Sequence, residues 1–412
     1  MRVTTLFRRL LGVTGLRVIR VLFQTDGKLS VEVAPRWRRP RCGGCGRRAS
    51  IYDRRPLRWW LHLPFGATPV RLAYAPRRVH CPQCGVRTEK LPWGEATSRF
   101  TTAFEEMVAY LAQITDQTHV ARLTGISWAT VGSIVARVVA RHLSAERLAS
   151  LRLIGIDEFS FRKRHRYLTV VVDHERRRIV WAAEGHKAET LDPFFELLGP
   201  KTCAAIEAVS IDLAGSYHKA ARENLPNAEI VFDRFHVQRL ASDALDEVRR
   251  ALVRELADTP EQAAAVKNTR WALLRDSSNL LPEERQRLSS VQTTNRPLYR
   301  AYLLKETLVR ALDYLQPKRA HQALLEWMAW ASHSRLRPFV RVARTIRAHL
   351  SGILAYIRSR LSNGLVEGLN AKLRMITRRA YGYHSASALI GMLFLTCGGI
   401  QLDPALPTPT SS

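Results

Sequence analysis

Two spacings of apolar residues alternate along this chain, and the changes between them divide it. From Leu16 to Trp37, apolar and polar positions alternate in two runs, LRVIRVLF and LSVEVAP, on either side of Asp26-Gly27. Period-two alternation around Asp-Gly predicts a β-hairpin. LRWWLHL and VRLAYA add two more β-prone runs. From about Ser98 to Ser150 the apolar period lengthens to that of a helix. LRLIGIDEF, RYLTVVVDH and RRIVWAAEG then read as three strands. A helix from Glu189 to Leu198, the strand IEAVSID, a helix from Ser216 to Glu223 and the strand AEIVFD follow. Residues 237 to 360 are helical in character throughout, with no internal repeat. The tail from Asp403 is rich in Pro, Ser and Thr, the composition of disorder.

The segment SNGLVEGLNAKLRMITRR carries two stripes. Leu361, Leu365, Leu369 and Leu373 recur every four residues and so share one helix face. Asn363, Glu367, Asn370 and Arg374 form a polar stripe away from it. For one Glu in a basic, amide-flanked stripe, a solvated face is the ordinary explanation. Two aspartates upstream weigh against it, because each ends an apolar strand: Asp157 in IGIDEF and Asp212 in AVSID. Carboxylates at the ends of buried strands are costly unless they meet solvent or hold a cation.

The order β-β-β-α-β-α-β, with acids ending the first and fourth strands and a third on a late helix, resembles the ribonuclease-H-like fold. In that fold the first and fourth strands are neighbours, which would set Asp157 beside Asp212. Three converging carboxylates repel one another unless divalent cations neutralise them. Mg²⁺ or Mn²⁺ suits such oxygen donors and keeps positions open for phosphate. Two such ions clamp the attacking and leaving oxygens of a phosphodiester. Asp233 also ends a strand, but one strand further from Asp157, about 4.8 Å more. Asp212 is therefore the preferred second acid. Asp173 reads as the start of a hairpin turn, and Glu158 as a group behind the first acid.

Four of six cysteines form the pairs CGGCG and CPQCG: Cys42 with Cys45, and Cys81 with Cys84. Each spacing lets two thiolates grip one tetrahedral ion, and the glycine after each lets the backbone turn toward sulfur. The 35-residue loop between the pairs exceeds ordinary finger spacing and predicts a zinc ribbon with an inserted hairpin. Four thiolates leave no open position, so the expected Zn²⁺ is structural. Cys203 and Cys397 read as buried fillers.

Charge narrows the partners. Lys and Arg total 64 against 36 Asp and Glu, a formal net charge of +28, which favours nucleic acid. The apolar run Ala388 to Leu395 falls short of the roughly 20 residues of a membrane span, so no membrane partner is expected. No convincing cleavage site follows the N-terminal apolar patch, and a cytoplasmic, nucleoid-associated location is expected. Residues 116 to 139 carry a helix-turn-helix pattern: small Ala121 at the crossing, Gly125 in the turn, Ser127 as cap, Val131 and Ile134 inward. Its second helix would offer Trp128, Thr130, Ser133 and Arg137 to a major groove.

With these motifs assembled, the chain resembles the ISL-three family of bacterial insertion-sequence transposases over nearly its whole length. The matching pieces are the paired CxxCG module, the helix-turn-helix, GIDEFSF, SIDLAGSY, VFDRFHV, TRWALL and SNGLVEGLNAKLR. The resemblance implies a DDE transposase with a helical insertion between the second Asp and the Glu. Asp157 matches the first acid and Glu367 the last. It implies a zinc module over 1–95, a helix-turn-helix domain over 96–150 and a catalytic core split between 151–240 and 356–402. The insertion fills 241–355, and 403–412 form the tail. Double-stranded DNA, as terminal inverted repeats and as target, is the implied partner, bound by a homodimer that holds two ends. Asn363, Asn370, Lys372, Arg374, Arg378 and Arg379 would hold the DNA backbone near the acids. Asp233 and His236 form a D-x-x-H set one helical turn apart that resembles a motif in related transposases, and this resemblance implies supporting roles at the active site. A satisfied structural histidine explains His236 almost as well. Two rivals share these features: a regulator built on an inactivated transposase, and a ribonuclease-H-like nuclease or junction resolvase without strand transfer.

Overall fold

The computed structural model describes residues 2–162, 166–213, 216–275, 277–361, 364–379, 383 and 385–403. It is mixed α/β and divides into two compact units, Met1–Leu143 with Ser387–Ser412, and Ser144–Ala386. Among the described residues no single helix is long and apolar enough to cross a membrane.

In the first unit, β1 (Leu16–Phe23) and β2 (Leu29–Pro35) form the expected hairpin, with Gly27 at φ +77° in its turn. β3 (Ser50–Arg54), β4 (Arg58–Phe65), β5 (Thr68–Tyr74), β6 (Arg77–Cys81) and β7 (Gly85–Thr88) follow. They separate into two sheets. The hairpin β4–β5 leaves the cysteine module and pairs through β5, in parallel, with β2, giving the order β1-β2-β5-β4. β3, β6 and β7 make a small antiparallel sheet that carries the cysteines. The four-stranded sheet buries Val31, Val33, Trp60, Val70, Leu72 and Trp93. Three helices come next: Thr102–Ile114, Gln117–Thr124 and Trp128–His142. The late helix Ala386–Cys397 lies mostly in this unit, where Gln113 donates to the carbonyls of Leu395 (2.7 Å) and Ile400 (3.3 Å).

The second unit is built on β8 (Leu153–Arg162), β9 (Arg166–Asp173), β10 (Arg178–Glu184), β11 (Ala208–Ile211) and β12 (Glu229–Phe232). β8, β9 and β10 form an antiparallel meander. The chain then returns through the helix Asp192–Ala205, so β11 runs parallel to β8. It crosses again through Tyr217–Asn224, so β12 runs parallel to β11. The order is β10-β9-β8-β11-β12. The alternation of apolar residues cannot show this arrangement, because β9 and β11 are buried along almost their whole length. From Arg234 to Ser359 the chain is helical, as its pattern predicts, around a core that includes Leu304, Leu308, Trp327 and Phe339. The helix Leu350–Ser359 returns to β12, where a Cβ on Gly352 would stand 2.4 Å from the Phe232 ring. The helix Gly364–Arg379 packs against β8 and buries Leu369, Leu373 and Ile376.

Candidate functional site

Register places the three aspartates. β11 pairs with β8 as Ala208 to Leu153 and Ser210 to Gly155, so continuing the ladder sets Asp212 level with Asp157. β12 pairs with β11 as Ala208 to Glu229 and Ile211 to Phe232, which sets Asp233 level with Asp212. Asp212 and Asp233 thus follow the ends of β11 and β12 and stand in one row with Asp157. Asp157 itself does not end its strand as expected: it lies inside β8, opposite Val170, because β8 stays paired with β9 as far as Arg162. Neighbouring strands lie about 4.8 Å apart, and residues level in a parallel sheet share a face.

Their surroundings differ. Asp157 is half-buried, and its Oδ1 accepts from the Glu158 N–H at 2.7 Å. Asp212 Oδ1 lies 2.9 Å from His236 Nδ1, the histidine entering from the first turn of the helix Arg234–Glu255. Asp233 is buried, 3% exposed, and caps that helix by accepting from the Phe235 N–H at 3.2 Å. Burial pulls His236 down, but its hydrogen bond to Asp212 and the charges of Asp212, Asp233 and Asp157 outweigh this and raise it. Glu158 is raised by desolvation, with Asp157 and Asp212 adding to the effect against His186. The His236 shift reports surplus negative charge, whereas that of Glu158 comes chiefly from burial. An all-oxygen carboxylate donor set with such a surplus fits a divalent cation.

A cavity of about 520 Å³ opens on Asp157, Glu158 and Asp212, with His186, Lys187 and Tyr217 on its other walls. Sequence reasoning missed these three. The signal lay in GHK after β10 and SY after the second acid, both in loops flanking that sheet end. Tyr217 bonds Thr169 Oγ1 at 2.8 Å, and burial pushes its phenol up to about 12. Gly155, also missed, has no room for a side chain. A Cβ there would stand 2.7 Å from His174 Nε2 and 3.0 Å from Ser210 Oγ, which bond each other at 2.7 Å.

Glu367 lies on the helix Gly364–Arg379 that packs on β8, the strand of Asp157. The side chains of Glu367 and Asn370, and all of Asn363, lie outside the described residues. Lys372, Arg374 and Arg378 are exposed on that helix, and Arg379 is half-buried.

In the first unit the Sγ atoms of Cys42, Cys45, Cys81 and Cys84 all lie within 4.8 Å of one another. Cys45 and Cys81 are 3.6 Å apart, close to the edge of a tetrahedron with bonds of about 2.3 Å. Gly46 and Gly85, after each pair, have φ of +73° and +70°. A Cβ on Gly44 would sit 3.3 Å from Cys84 Sγ, and one on Gly43 only 2.5 Å from the Thr88 carbonyl. The loop is therefore closed round the sulfurs. N–H groups of Gln83 and Cys84 pull Cys81 down to about 7, while hydrogen bonding from Cys45, burial and the other sulfurs push Cys84 up to about 12. Four crowded sulfurs of this kind could hold one zinc ion.

The helix pair Gln117–Thr124 and Trp128–His142 bends by 102°. The predicted turn glycine, cap and buried residues of the second helix are present. Gly125 is left-handed (φ +67°), Ser127 Oγ accepts from the Thr130 N–H at 3.3 Å, and Val131 and Ile134 are fully buried. Asp116, which sequence reading passed over, caps the first helix through the N–H groups of Thr118 and His119. On the second helix Trp128 and Ser133 are exposed and Thr130 is half-buried. Ser133 Oγ donates to the Ala129 carbonyl, and Thr130 Oγ1 bonds Ser127. Arg137 turns to the helix Thr102–Ile114, where Nε and Nη2 reach the buried Glu105 at 2.9 and 2.7 Å.

Residues 154–393 match a family of transposases, the DDE transposases of ISL3 type, and residues 89–139 match the helix-turn-helix domain of transposase family ISL3. The chain is 40% identical over 437 aligned residues to the transposase for insertion sequence element IS1557 of Mycobacterium tuberculosis, covering 99% of this chain and 98% of the relative. It is 33% identical over 376 residues to the transposase for insertion sequence element IS1001 of Bordetella parapertussis, covering 90% and 93%.

Proposed function

Because the chain belongs to the ISL3 family of transposases, we propose that it binds the terminal inverted repeats of an insertion sequence and cuts and rejoins DNA there. The observation that carries the chemistry is the register of β8, β11 and β12, which sets Asp157 and Asp212 side by side with the Glu367 helix against β8. The order β10-β9-β8-β11-β12, a meander followed by two parallel crossovers, supports a ribonuclease-H-like core. The helical residues 241–355 would be an insertion in it.

Asp157, Asp212 and Glu367 would hold two divalent ions, Mg²⁺ or Mn²⁺. Such ions supply charge neutralisation and an activated oxygen nucleophile at a phosphodiester. His236 acts on Asp212: its Nδ1 contact fixes the carboxylate's orientation. Asp233 caps the helix that carries His236 and so positions it. In the first step a water oxygen bonds to phosphorus, the bond to the 3′ oxygen breaks, and a free 3′-hydroxyl remains. That hydroxyl then attacks a target phosphodiester, forming one bond as another breaks. Lys372, Arg374, Arg378 and Arg379 on the Glu367 helix, together with Asn363 and Asn370, would hold the DNA backbone near the acids.

The zinc module and the helix-turn-helix would grip the ends, with Trp128, Thr130 and Ser133 toward the groove. Its pairing with Glu105 favours Arg137 as a brace for that helix over a reader of bases. Two ends must be joined, so a homodimer on DNA is the working unit.

Cleavage of an inverted-repeat duplex in Mg²⁺ tests this. Asp157→Asn, Asp212→Asn and Glu367→Gln should each abolish cleavage and leave end binding intact. Asp233→Asn should only slow it, since Asn also caps a helix. A dead Asp233→Asn beside an active Asp212→Asn would make Asp233 the second acid. Activity in all four would end the catalytic reading.

A further inference from the structure

The TRWALL motif, residues 269–274, has no part in the chemistry above. Thr269, Ala272 and Leu273 are buried, yet Trp271, the largest apolar residue of the motif, is 63% exposed. Its backbone is fixed. The buried ammonium of Lys305 donates to the carbonyls of Leu273 (3.0 Å) and Arg275 (3.1 Å), and Glu306 pairs with it at 2.6 Å. Thr269 Oγ1 donates to the Val266 carbonyl at 2.6 Å. The indole is thus held out of the core by a rigid short helix.

Around it lies a cavity of about 970 Å³ whose walls are mostly cationic: Arg250, Arg254, Lys267, Arg270 and Arg287, all exposed. Arg249 and Arg250 share Asp246, and the one acid in the wall, Glu247, is paired with Arg341. Among the described residues no carboxylate lies within ion-pair distance of Arg254, Lys267 or Arg270. The Arg270 guanidinium stands 5.2 Å from the centre of the Trp271 ring. Cations around an exposed aromatic plate fit a polyanion that also offers flat rings. Paired DNA hides those rings in its own stack, whereas an unpaired strand presents bases and phosphates together.

The cavity is joined to the acid row by one helix. Arg234–Glu255 begins at the Asp233 cap with His236 in its first turn and carries Arg250 and Arg254 near its end. At about 1.5 Å per residue, His236 and Arg250 are roughly 21 Å apart along it, about six nucleotides at ~3.4 Å each. We propose that the cavity around Trp271 binds an unpaired DNA strand near the cleavage point, one base stacked on the indole and its phosphates on Arg254, Lys267 and Arg270. This rests on the transposase reading, since cleavage is what opens a strand there.

The test measures binding of the full chain, at fixed salt, to a fluorescein-labelled twelve-nucleotide thymidine strand and to an inverted-repeat duplex. Trp271→Ala should weaken strand binding roughly 5- to 150-fold, the span of a lost base–aromatic stack. Duplex binding should stay within about twofold. Trp271→Phe should retain most of the strand affinity, and Arg254→Glu should lower it. If Trp271→Ala binds the strand as the parent does, the site assignment is wrong. If the same variant instead turns a dimer into a monomer in sedimentation with strand binding unchanged, Trp271 is a protein contact. A parent chain that binds neither DNA would overturn the transposase reading itself.

Discussion

Replacing Glu105 with Gln keeps the shape of a side chain that is 1% exposed and removes its charge. Glu105 Oε1 accepts from Ser98 Oγ at 2.8 Å and from Arg137 Nε at 2.9 Å, while Oε2 accepts from Arg141. An amide in that place turns one acceptor into a donor facing a guanidinium. Breaking a fully buried pair costs about 3–5 kcal/mol. Here the Arg137 and Arg141 side chains are 30% and 24% exposed, so both keep part of their hydration and the cost falls to about 2–3 kcal/mol. That is roughly a 30- to 150-fold rise in local opening of the helix Trp128–His142 against Thr102–Ile114. Amide hydrogen exchange in the full chain reads this equilibrium directly. The amides of Val135, Val138 and Val139, all buried in that helix, should exchange faster by that factor. Those of β9, in the other unit, should not change. Unchanged exchange in Trp128–His142 would refute the view that Glu105 holds the helix in place.

One zinc ion per chain is expected in freshly purified, untagged protein. Cys81→Ser should abolish it by metal analysis, and a zinc-free parent would reject the site. Gly44→Val should speed zinc release to a chelator, because the added Cβ stands 3.3 Å from Cys84 Sγ; an unaltered rate would mean that the loop is loose. His62 is 2% exposed, bonded to Thr101 Oγ1 and the Leu11 carbonyl, and desolvation holds it down at about 4. Its folded pKa lies below the unfolded value near 6.5, so stability is full above pH 6.5 and falls as pH drops toward 4, by about 3 kcal/mol. His62→Gln should remove that part of the acid loss in urea unfolding of the first unit. Identical pH profiles for parent and variant would show that the ring is protonated in the folded state.

Much of this molecule is written in short stretches of its sequence. The Asp26-Gly27 turn, the Ser127 cap and the left-handed Gly125 each need only neighbours a few residues away. The matched CxxCG pairs are similar, because two thiolates and a glycine fix the local turn whatever surrounds them. The neighbourhood of Asp157 and Asp212 was legible only through the likeness of the element order to the ribonuclease-H-like fold, in which the first and fourth strands are neighbours, as β8 and β11 are here. Periodicity says which face of an element is buried, though not what covers it. That is why the departure of β4–β5 to pair with β2, and the return of Ala386–Cys397 to the first unit, were not legible. It is also why Arg137 read as a groove-facing base and folds as the partner of Glu105, 32 residues earlier. Trp271 shows the same limit: an apolar residue in an apolar motif, turned outward because Thr269, Ala272 and Leu273 fill the core beneath it. Charge pairs and packing contacts act over a few ångströms of space, and only the folded chain brings residues so distant in sequence within that reach.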